Sequence, residues 1–401
     1  MLKRLCQGLT LWAALICLTG CWNRRELNEL SIASAYGLDK IGTGYQISVQ
    51  LINGDEVATN KGGGGGNRMP VVTQVLAHGN SIFESVRQLS TSTPRKIYSS
   101  HIQMLVIGET LARDGIAKVL DALSRDHEMR TDFYIAVAKD ATAADVLKVL
   151  SPLEKIPSHK LFASLESVQN AWGGSTKVDL HQLIYDLVSK GKDPVLAALR
   201  ITGDPEVGQS KRNLNSVNPP VLLQYDGLAV FNKDRLVGWL NQEESKGYNY
   251  ITGGIKSTIV PVPCPEGGQL GIELIRTDKS LKGKVTGGQP QVNLHIDTEG
   301  NVGEVECHLD LSEPETIRLL ERGAEDKIKE TVQAAVKKAQ KYKADIFGFG
   351  DAIHRADPKA WRQLEPDWNQ HFGELTVQVT VDMNIRRTGS VVESFLGQLG
   401  K

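Results

Sequence analysis

The sequence predicts a multi-domain α+β fold in which mixed β-sheets are each packed with helices. Short apolar strands alternate with amphipathic helices over the first half of the chain, which predicts helices packed on a sheet. A polar segment rich in glycine and proline follows at 201–220. The last third combines strands of period-two alternation with one long helix, which predicts a C-terminal domain with an antiparallel sheet.

The length, composition and net charge of the chain limit the number of domains and the classes of partner that it can have. The chain has 401 residues, of which 40% are hydrophobic and 23% charged, as in an ordinary globular protein. At about 150 residues per domain this length predicts two or three domains, each able to bury a sizeable core. The formal net charge is −1 and no basic stripe occurs, so we expect no nucleic-acid partner.

The first strand pattern lies at 45–51, where apolar and polar residues alternate and predict a half-buried strand. Another strand begins near Val71. The five glycines Gly62 to Gly66 lie between them. They lack the Gly-Lys-Ser/Thr ending of a phosphate-binding loop and open no helix, so we expect a flexible loop tip.

Helices and strands then alternate up to about residue 200. Asn80 is expected to cap a helix that ends before Pro94, and Asp140 to cap a helix that ends near Pro152. The remaining predicted elements are strands at 102–107 and 133–138 and helices around 116–123, 161–168 and 180–187.

The C-terminal half begins with a hairpin signal. Two apolar segments, 227–231 and 236–240, flank the polar sequence NKDR at 232–235. The proline-rich segment 261–265 is expected to be an extended loop.

The last third predicts strand, strand, helix and strand. Alternation at 292–296 and at 305–311 predicts two strands with a turn near Gly300. The sequence SEPE at 312–315 predicts a capping box with proline in the first turn of a helix that runs to Tyr342.

A final strand is predicted at 375–385, with the alternation typical of an antiparallel strand that has one solvent-exposed face.

The domain boundaries follow from these elements. We expect a first domain at 21–200, a linker at 201–220 and a C-terminal domain at 221–397. An alternative division near residue 276 gives a small middle domain and an α+β C-terminal domain.

The N-terminal segment has the features of a lipoprotein signal peptide. Basic residues at 3–4 precede an apolar run at 5–18 that is too short for a comfortable membrane span. The run ends in LTGC at 18–21, which resembles a bacterial lipobox. We expect residues 1–20 to be removed and Cys21 to carry a diacylglyceryl thioether and an acylated N-terminus. A diacylglyceryl group has two acyl chains, which anchor a protein stably in a membrane, whereas a single acyl chain gives only marginal binding. The alternative is a secreted soluble protein cut nearby.

The sequence contains no motif of catalysis or metal binding that we recognise. Its nine histidines form no H-E-x-x-H and no i, i+4 pair, and neither G-x-S-x-G nor C-x-x-C occurs. Asp345, Asp351 and Asp357 lack calcium-loop spacing. We therefore expect no catalytic residue, no metal and no cofactor, which disfavours an exported enzyme. Cys264 and Cys307 either pair or stay buried or free thiols.

Several segments resemble one family in order along the chain. CWNRRELN at 21–28 and YGLD at 36–39 resemble the start of mature Ger(x)C proteins, the lipoprotein C subunits of spore germinant receptors; Asn23 departs from the usual aspartate. The segments that resemble the rest of the family are 77–90, 98–116, 227–245 and the aromatic stretch 344–372.

The resemblance implies several α+β domains and a non-enzymatic subunit on the outer face of the spore inner membrane. It implies two integral-membrane partner subunits, A-type and B-type, and contact with the bilayer through acyl chains on Cys21. Such a complex senses nutrients and triggers release of ions and core contents. Only Cys21 carries over as a functional residue.

A lipoprotein solute-binding component of a nutrient importer is the alternative function. Such proteins usually have two doubly wound lobes around a ligand cleft, and the antiparallel pattern of the C-terminal half argues against that architecture. Trp22 and the charged residues at 24–26 suit a membrane-proximal tether and a plain spacer equally.

Overall fold

The computed structural model describes residues 26–54, 70–265, 267–307 and 309–387, together with residues 3–5, 7–8 and 12. Within these residues the chain forms one nine-stranded and one four-stranded sheet, both packed with helices. This mixed α+β architecture confirms the predicted fold class. Cys21, the glycines at 62–66 and His308 lie outside the described residues.

The first sheet has a parallel centre and antiparallel flanks. Its strands are β1 (Leu30–Ile41), β2 (Gly44–Ile52), β3 (Val72–Gly79), β4 (Lys96–Tyr98), β5 (Met104–Gly108), β6 (Tyr134–Lys139), β7 (Val195–Thr202), β8 (Leu222–Asn232) and β9 (Arg235–Leu240). Their order is β3-β2-β1-β5-β6-β7-β8-β9, with β4 beside the start of β1. Strands β1, β5, β6 and β7 are parallel neighbours.

Helices cover both faces of this sheet. They are α1 (Ile82–Gln88), α2 (Glu109–Asp114), α3 (Ala117–Ser124), α4 (Ala143–Lys148), α5 (Pro157–Ala171), α6 (Leu180–Val188), α7 (Pro205–Gly208) and α8 (Lys211–Leu214). Alternate residues of β5 enter different clusters of buried side chains: Leu105 packs with α2, α3 and α6, and Met104 packs with α4 and α5. Both faces of the first sheet are therefore buried in a hydrophobic core.

Strand β2 shows why the predicted half-buried strand is wrong. Its polar residues Ser48 and Gln50 are as fully buried as its apolar ones. The Gln50 amide is satisfied inside the protein: its Oε1 accepts from Ser34 Oγ (3.0 Å) and its Nε2 donates to the carbonyl of Leu147 (3.2 Å). Polar residues that are buried and hydrogen-bonded produce the same alternating sequence pattern as polar residues on a solvent-exposed face.

The second sheet is mixed. Its strands are β10 (Ile259–Pro263), β11 (Gln269–Thr286), β12 (Gln289–Val305) and β13 (Thr376–Arg387), in that order. Its helices are α9 (Gln242–Thr252), α10 (Pro314–Tyr342), α11 (Phe349–Ala356), α12 (Pro358–Leu364) and α13 (Trp368–Gly373). The final strand has the predicted wet face but pairs parallel to β12, because the crossover through α10 returns the chain in the same direction.

The predicted turn near Gly300 is wrong. Strand β12 passes straight through this residue, and the hairpin with β11 turns instead at Gly287 and Gly288, both with positive φ. A Cβ at position 300 would lie 2.8 Å from the carbonyl oxygen of Glu273. Gly300 thus permits close packing at a pairing irregularity, which is a common role for glycine inside a strand.

Two predicted helix caps are displaced along the chain. Ser81, one residue after Asn80, accepts from the Glu84 N–H and caps α1. Thr142 caps α4, while Asp140 occupies the preceding turn with a φ of 56°. In both places a second capping residue type lies within two positions, which the sequence pattern does not resolve.

The predicted capping box of α10 does not form. Pro314 is in the first turn, as predicted, but the N-cap is Glu313 and its side chain makes no capping bond. Ser312 Oγ instead donates to Asp310 Oδ1 (2.5 Å).

The segment 201–220, predicted to be a linker, belongs to the first sheet's own structure. It holds α7 and α8 and joins two antiparallel neighbours, β7 and β8. Asn213 within it is fully buried, and its Nδ2 donates to the carbonyls of Leu150 (2.8 Å) and Val221 (3.1 Å). The first sheet therefore continues to β9, and β11 passes unbroken through residue 276.

One buried cluster joins the two sheets. Val195, Leu228 and Leu240 of the first sheet pack in the same cluster as α10 and the apolar face of the second sheet. Helices α9 and α10 approach closely at Gly247, where a Cβ would lie 2.4 Å from the carbonyl oxygen of Thr331.

Candidate functional site

The aromatic stretch 344–372 folds around the carboxylate of Asp345, which is fully buried. Four consecutive main-chain N–H groups, at 347–350, and the indole Nε1 of Trp368 donate to it at distances of 2.7–3.2 Å. Gly348 has a φ of 76°, which turns these N–H groups inward. This is an anion-binding nest that holds one of the protein's own side chains.

Burial raises the pKa of Asp345 to about 7, although the N–H groups of Gly350, Trp368 and Phe349 oppose the shift. Burial also raises the pKa of its neighbour Asp193, against the N–H groups of Lys233 and Asp345. Two adjacent carboxyls are thus held in an environment of low polarity.

Asp193 connects this nest to the first sheet. The N–H of Lys233, in the β8–β9 turn, donates to its Oδ1 (2.8 Å) and the N–H of Asp345 donates to its Oδ2 (3.0 Å). Gly191 lies against the same segment, because a Cβ there would be 2.5 Å from the main-chain nitrogen of Asp351. The residues at 345–351 therefore serve to join the two sheets.

The YGLD sequence at 36–39 also has structural contacts. Asp39 is buried and accepts from the N–H groups of Ala143 (2.8 Å) and Ala144 (3.0 Å) at the start of α4. A Cβ at Gly108 would lie 1.9 Å from Asp39 Oδ1, so only glycine fits there. The Tyr36 hydroxyl hydrogen-bonds Ser99 Oγ (2.7 Å), and burial raises the Tyr36 pKa to about 12.

The three aspartates considered as a cation site do not form one. Asp345 is surrounded by donors, and Asp357 accepts from the N–H groups of Lys359 and Ala360 at the start of α12. Among the described residues, the group with the geometry of a metal site is His295, Asp297 and Asp382 on the wet face of the second sheet. These side chains are 41–58% exposed and already pair with one another.

The open clefts in the described part of the chain include two that we describe by their lining. The larger, of about 720 Å³, lies between β10 and α10 and is lined chiefly by the proline-rich segment 261–265 and by Leu319. The smaller, of about 250 Å³, is lined by residues 100–103, by Arg130 and Asp132, and by Phe162. In neither do the lining residues form a nucleophile–base pair.

Cys264 and Cys307 form a disulfide, with sulfur atoms 2.02 Å apart and Cα atoms 6.3 Å apart. It ties β10 to the segment that leads into α10. Sequence analysis left this pairing open, because Cys264 was assigned to a loop and Cys307 to the core-facing side of a strand predicted at 305–311. That strand prediction is wrong, since β12 ends at Val305 and Cys307 follows it.

Cys21 lies outside the described residues, so the structure places no atom of the predicted anchor. The continuous described chain starts at Glu26, and a 3-10 turn at Leu27–Glu29 leads directly into β1. None of the helices in the described residues combines the length and apolar character needed to cross a bilayer.

Comparison with known proteins accounts for nearly the whole chain. A family described as the spore germination protein N-terminal domain matches residues 23–201, and one described as spore germination B3/GerAC like, C-terminal, matches residues 226–389. Spore germination protein KC of Bacillus subtilis (strain 168) is 32% identical over 394 residues, which cover 97% of each chain. The chain belongs to the Ger(x)C family of spore germination proteins.

Two further proteins match at lower identity over similar lengths. Spore germination protein B3 of the same organism is 24% identical, covering 94% of this chain and 96% of that one. The crystal structure of the GerBC protein superimposes with a TM-score of 0.54 at 20% identity, covering 91% of this chain and all of that one. That likeness shows a shared fold.

The buried aspartates were missed as structural residues by sequence analysis. The sequence carries one local signal: glycines at 348 and 350 follow Asp345, and glycine readily adopts the positive φ found in a backbone nest. The four donors become visible only when the backbone conformation is known.

Proposed function

We propose that this chain is the lipid-anchored C subunit of a nutrient germinant receptor, on the outer face of the spore inner membrane. The observation that carries the proposal is the similarity to spore germination protein KC over 97% of both chains. In this role the protein is a non-enzymatic component that works with an A-type and a B-type integral-membrane subunit in nutrient-triggered germination.

The anchor in this proposal is Cys21, at the end of the LTGC sequence at 18–21. A diacylglyceryl group and an N-terminal acyl chain would supply more than one buried chain, and each buried CH₂ contributes about 0.8 kcal/mol. Trp22 and Arg24 follow immediately and suit the headgroup region.

The described polar clusters support an interaction role. The carboxyls of Asp345 and Asp39 accept hydrogen bonds from the protein's own backbone. The second sheet contains one parallel and two antiparallel pairings, unlike the second doubly wound lobe expected of a solute-binding protein. We also propose that 21–200 and 221–397 are two sequence units, which parallel the two family matches, while β8 and β9 of the second unit complete the first sheet.

The test combines acyl labelling with isolation of the complex. Wild-type protein should incorporate labelled palmitate, float with membranes and co-purify with the two integral-membrane subunits from detergent-solubilised spore membranes. Cys21→Ala should lose the label and leave the membrane fraction, while Cys17→Ala, four residues earlier in the removed segment, should behave as wild type. Labelling that survives Cys21→Ala would refute the anchor, and purification without either subunit would refute the receptor role.

A further inference from the structure

The number of residues between Cys21 and the folded chain limits how far that chain can lie from the membrane. Five residue steps separate Cys21 from Glu26, the first residue of the continuous described part. An extended chain spans at most about 3.6 Å per residue, so this segment covers no more than about 18 Å. This argument depends on the proposed lipidation of Cys21.

The chain enters the fold at one end of the first sheet. The first residues of β1 project beyond β5, because β1 pairs with β4 from Leu30 (opposite Lys96) but with β5 only from Ala35. Residues 127–132 flank the same end: Lys96 forms an ion pair with Glu128, and Ser100 Oγ donates to the Glu128 carbonyl (2.8 Å). We call residues 26–32, 95–101 and 127–132 the anchor-proximal end.

The opposite end of β1 is out of reach of the tether. Strand β1 runs for 12 residues, from Leu30 to Ile41, which corresponds to about 36 Å at 3.3 Å per residue step. Its central residues are fully buried between β2 and β5, so the strand holds its direction. The β1–β2 turn at Gly42 and Thr43 is therefore beyond the reach of the tether, whereas the start of the strand lies next to Glu26, where the tether ends.

We propose that the anchor-proximal end is the surface that faces the phospholipid headgroups. Its charges are nearly balanced: Lys96 pairs with Glu128 and Arg130 pairs with Asp132. None of residues 28–32, 95–101 and 127–132 carries an exposed large apolar side chain. This surface suits contact with hydrated headgroups without insertion, so the tether and not the lipid charge sets the orientation. The cleft lined by residues 100–103 then opens close to the bilayer.

The experiment measures the depth of single fluorophores on lipidated protein in vesicles. Cysteine is introduced at Arg95→Cys or Arg130→Cys near the anchor, and at Thr43→Cys as the matched exposed site at the other end of β1. In lipidated protein the remaining cysteines are acylated or in the disulfide, so the new thiol is labelled selectively. Vesicles of phosphatidylcholine, with or without phosphatidylglycerol, carry a headgroup-attached quencher.

Flotation comes first, followed by quenching of the floated fraction. We expect labels at 95 and 130 to be quenched at least twofold more strongly than the label at 43, equally in neutral and anionic vesicles. Equal or reversed quenching in floated protein would overturn the orientation while leaving the anchor intact, and a difference confined to anionic vesicles would overturn the role of the tether. Failure to float would overturn the lipid anchor and the orientation together.

Discussion

Asp193 and Asp345 are joined by two reciprocal hydrogen bonds although 152 positions separate them. The N–H of Asp193 donates to the carbonyl of Asp345 (2.7 Å), and the N–H of Asp345 donates to Oδ2 of Asp193 (3.0 Å). One residue precedes β7 of the first sheet and the other follows α10 of the second unit. The two sheets are therefore joined by one backbone–backbone and one backbone–carboxylate hydrogen bond as well as by a shared apolar cluster.

Asp345→Asn should destabilise the protein at pH 7 by about 1–3 kcal/mol, because an amide NH₂ would face N–H donors where an oxygen now accepts. It should also change the pH dependence of stability. The folded pKa of Asp345, about 7, exceeds the ordinary value of 3.8, so the folded chain retains this proton between about pH 4 and 7. The stabilisation that comes from this bound proton is complete below about pH 4 and is lost as the pH rises through about 7.

The measurement is the free energy of urea unfolding between pH 4.5 and 8. Relative to Asp345→Asn, wild type should lose stability with rising pH at a slope of up to about 1.4 kcal/mol per pH unit. Asp367→Asn, at an exposed position of the same segment, is the control and should follow wild type. Parallel curves for wild type and Asp345→Asn would contradict the assignment.

Gly247→Ala should destabilise the contact between α9 and α10. Alanine favours a helix over glycine by about 1 kcal/mol, but a Cβ here would lie 2.7 Å from the Ala335 Cβ and 2.4 Å from a carbonyl oxygen. We expect a net loss of about 1–3 kcal/mol from overpacking, measured by thermal unfolding. Gly303→Ala, whose nearest atom would be 3.7 Å away, should cost much less. A stabilised Gly247→Ala would show that the helices are more loosely packed.

Reduction of the Cys264–Cys307 disulfide should cost about 2–4 kcal/mol, since the bond closes a loop across 43 positions. In a Cys21→Ala chain that starts at residue 21, these are the only cysteines. Its midpoint of thermal unfolding should fall when reductant is added, and a Cys264→Ser/Cys307→Ser variant should be unaffected. Two free thiols detected in the unreduced folded chain would contradict the bond.

Elements with a strong period were predictable from sequence. The final alternating strand, predicted at 375–385, is β13, and the helix predicted to end at Tyr342 does so. Strand β11 was missed because its second half, from Arg276, is rich in charge, and its core-facing side has only Leu281 and Val285 as partly buried apolar residues. Its partner was consequently given a turn at Gly300, where the chain continues as a strand.

Residues whose role depends on distant partners were not predictable. Asp39, Asp193 and Asp345 resemble ordinary loop or strand-end carboxylates in the sequence, and their donors come from segments up to 152 positions away. The predicted anchor is a different case: Cys21 follows from a local motif, lies outside the described residues and remains a prediction.

The most direct test of the central claim is germination of spores that lack this gene. The receptor role predicts a slow or absent response to at least one class of nutrient, restored by the wild-type gene, with a normal response to triggers that bypass nutrient receptors. The assay follows the loss of optical density, nutrient by nutrient, in a strain that also lacks the genes of related receptors. Germination at the rate of the parent strain on every nutrient would contradict the account.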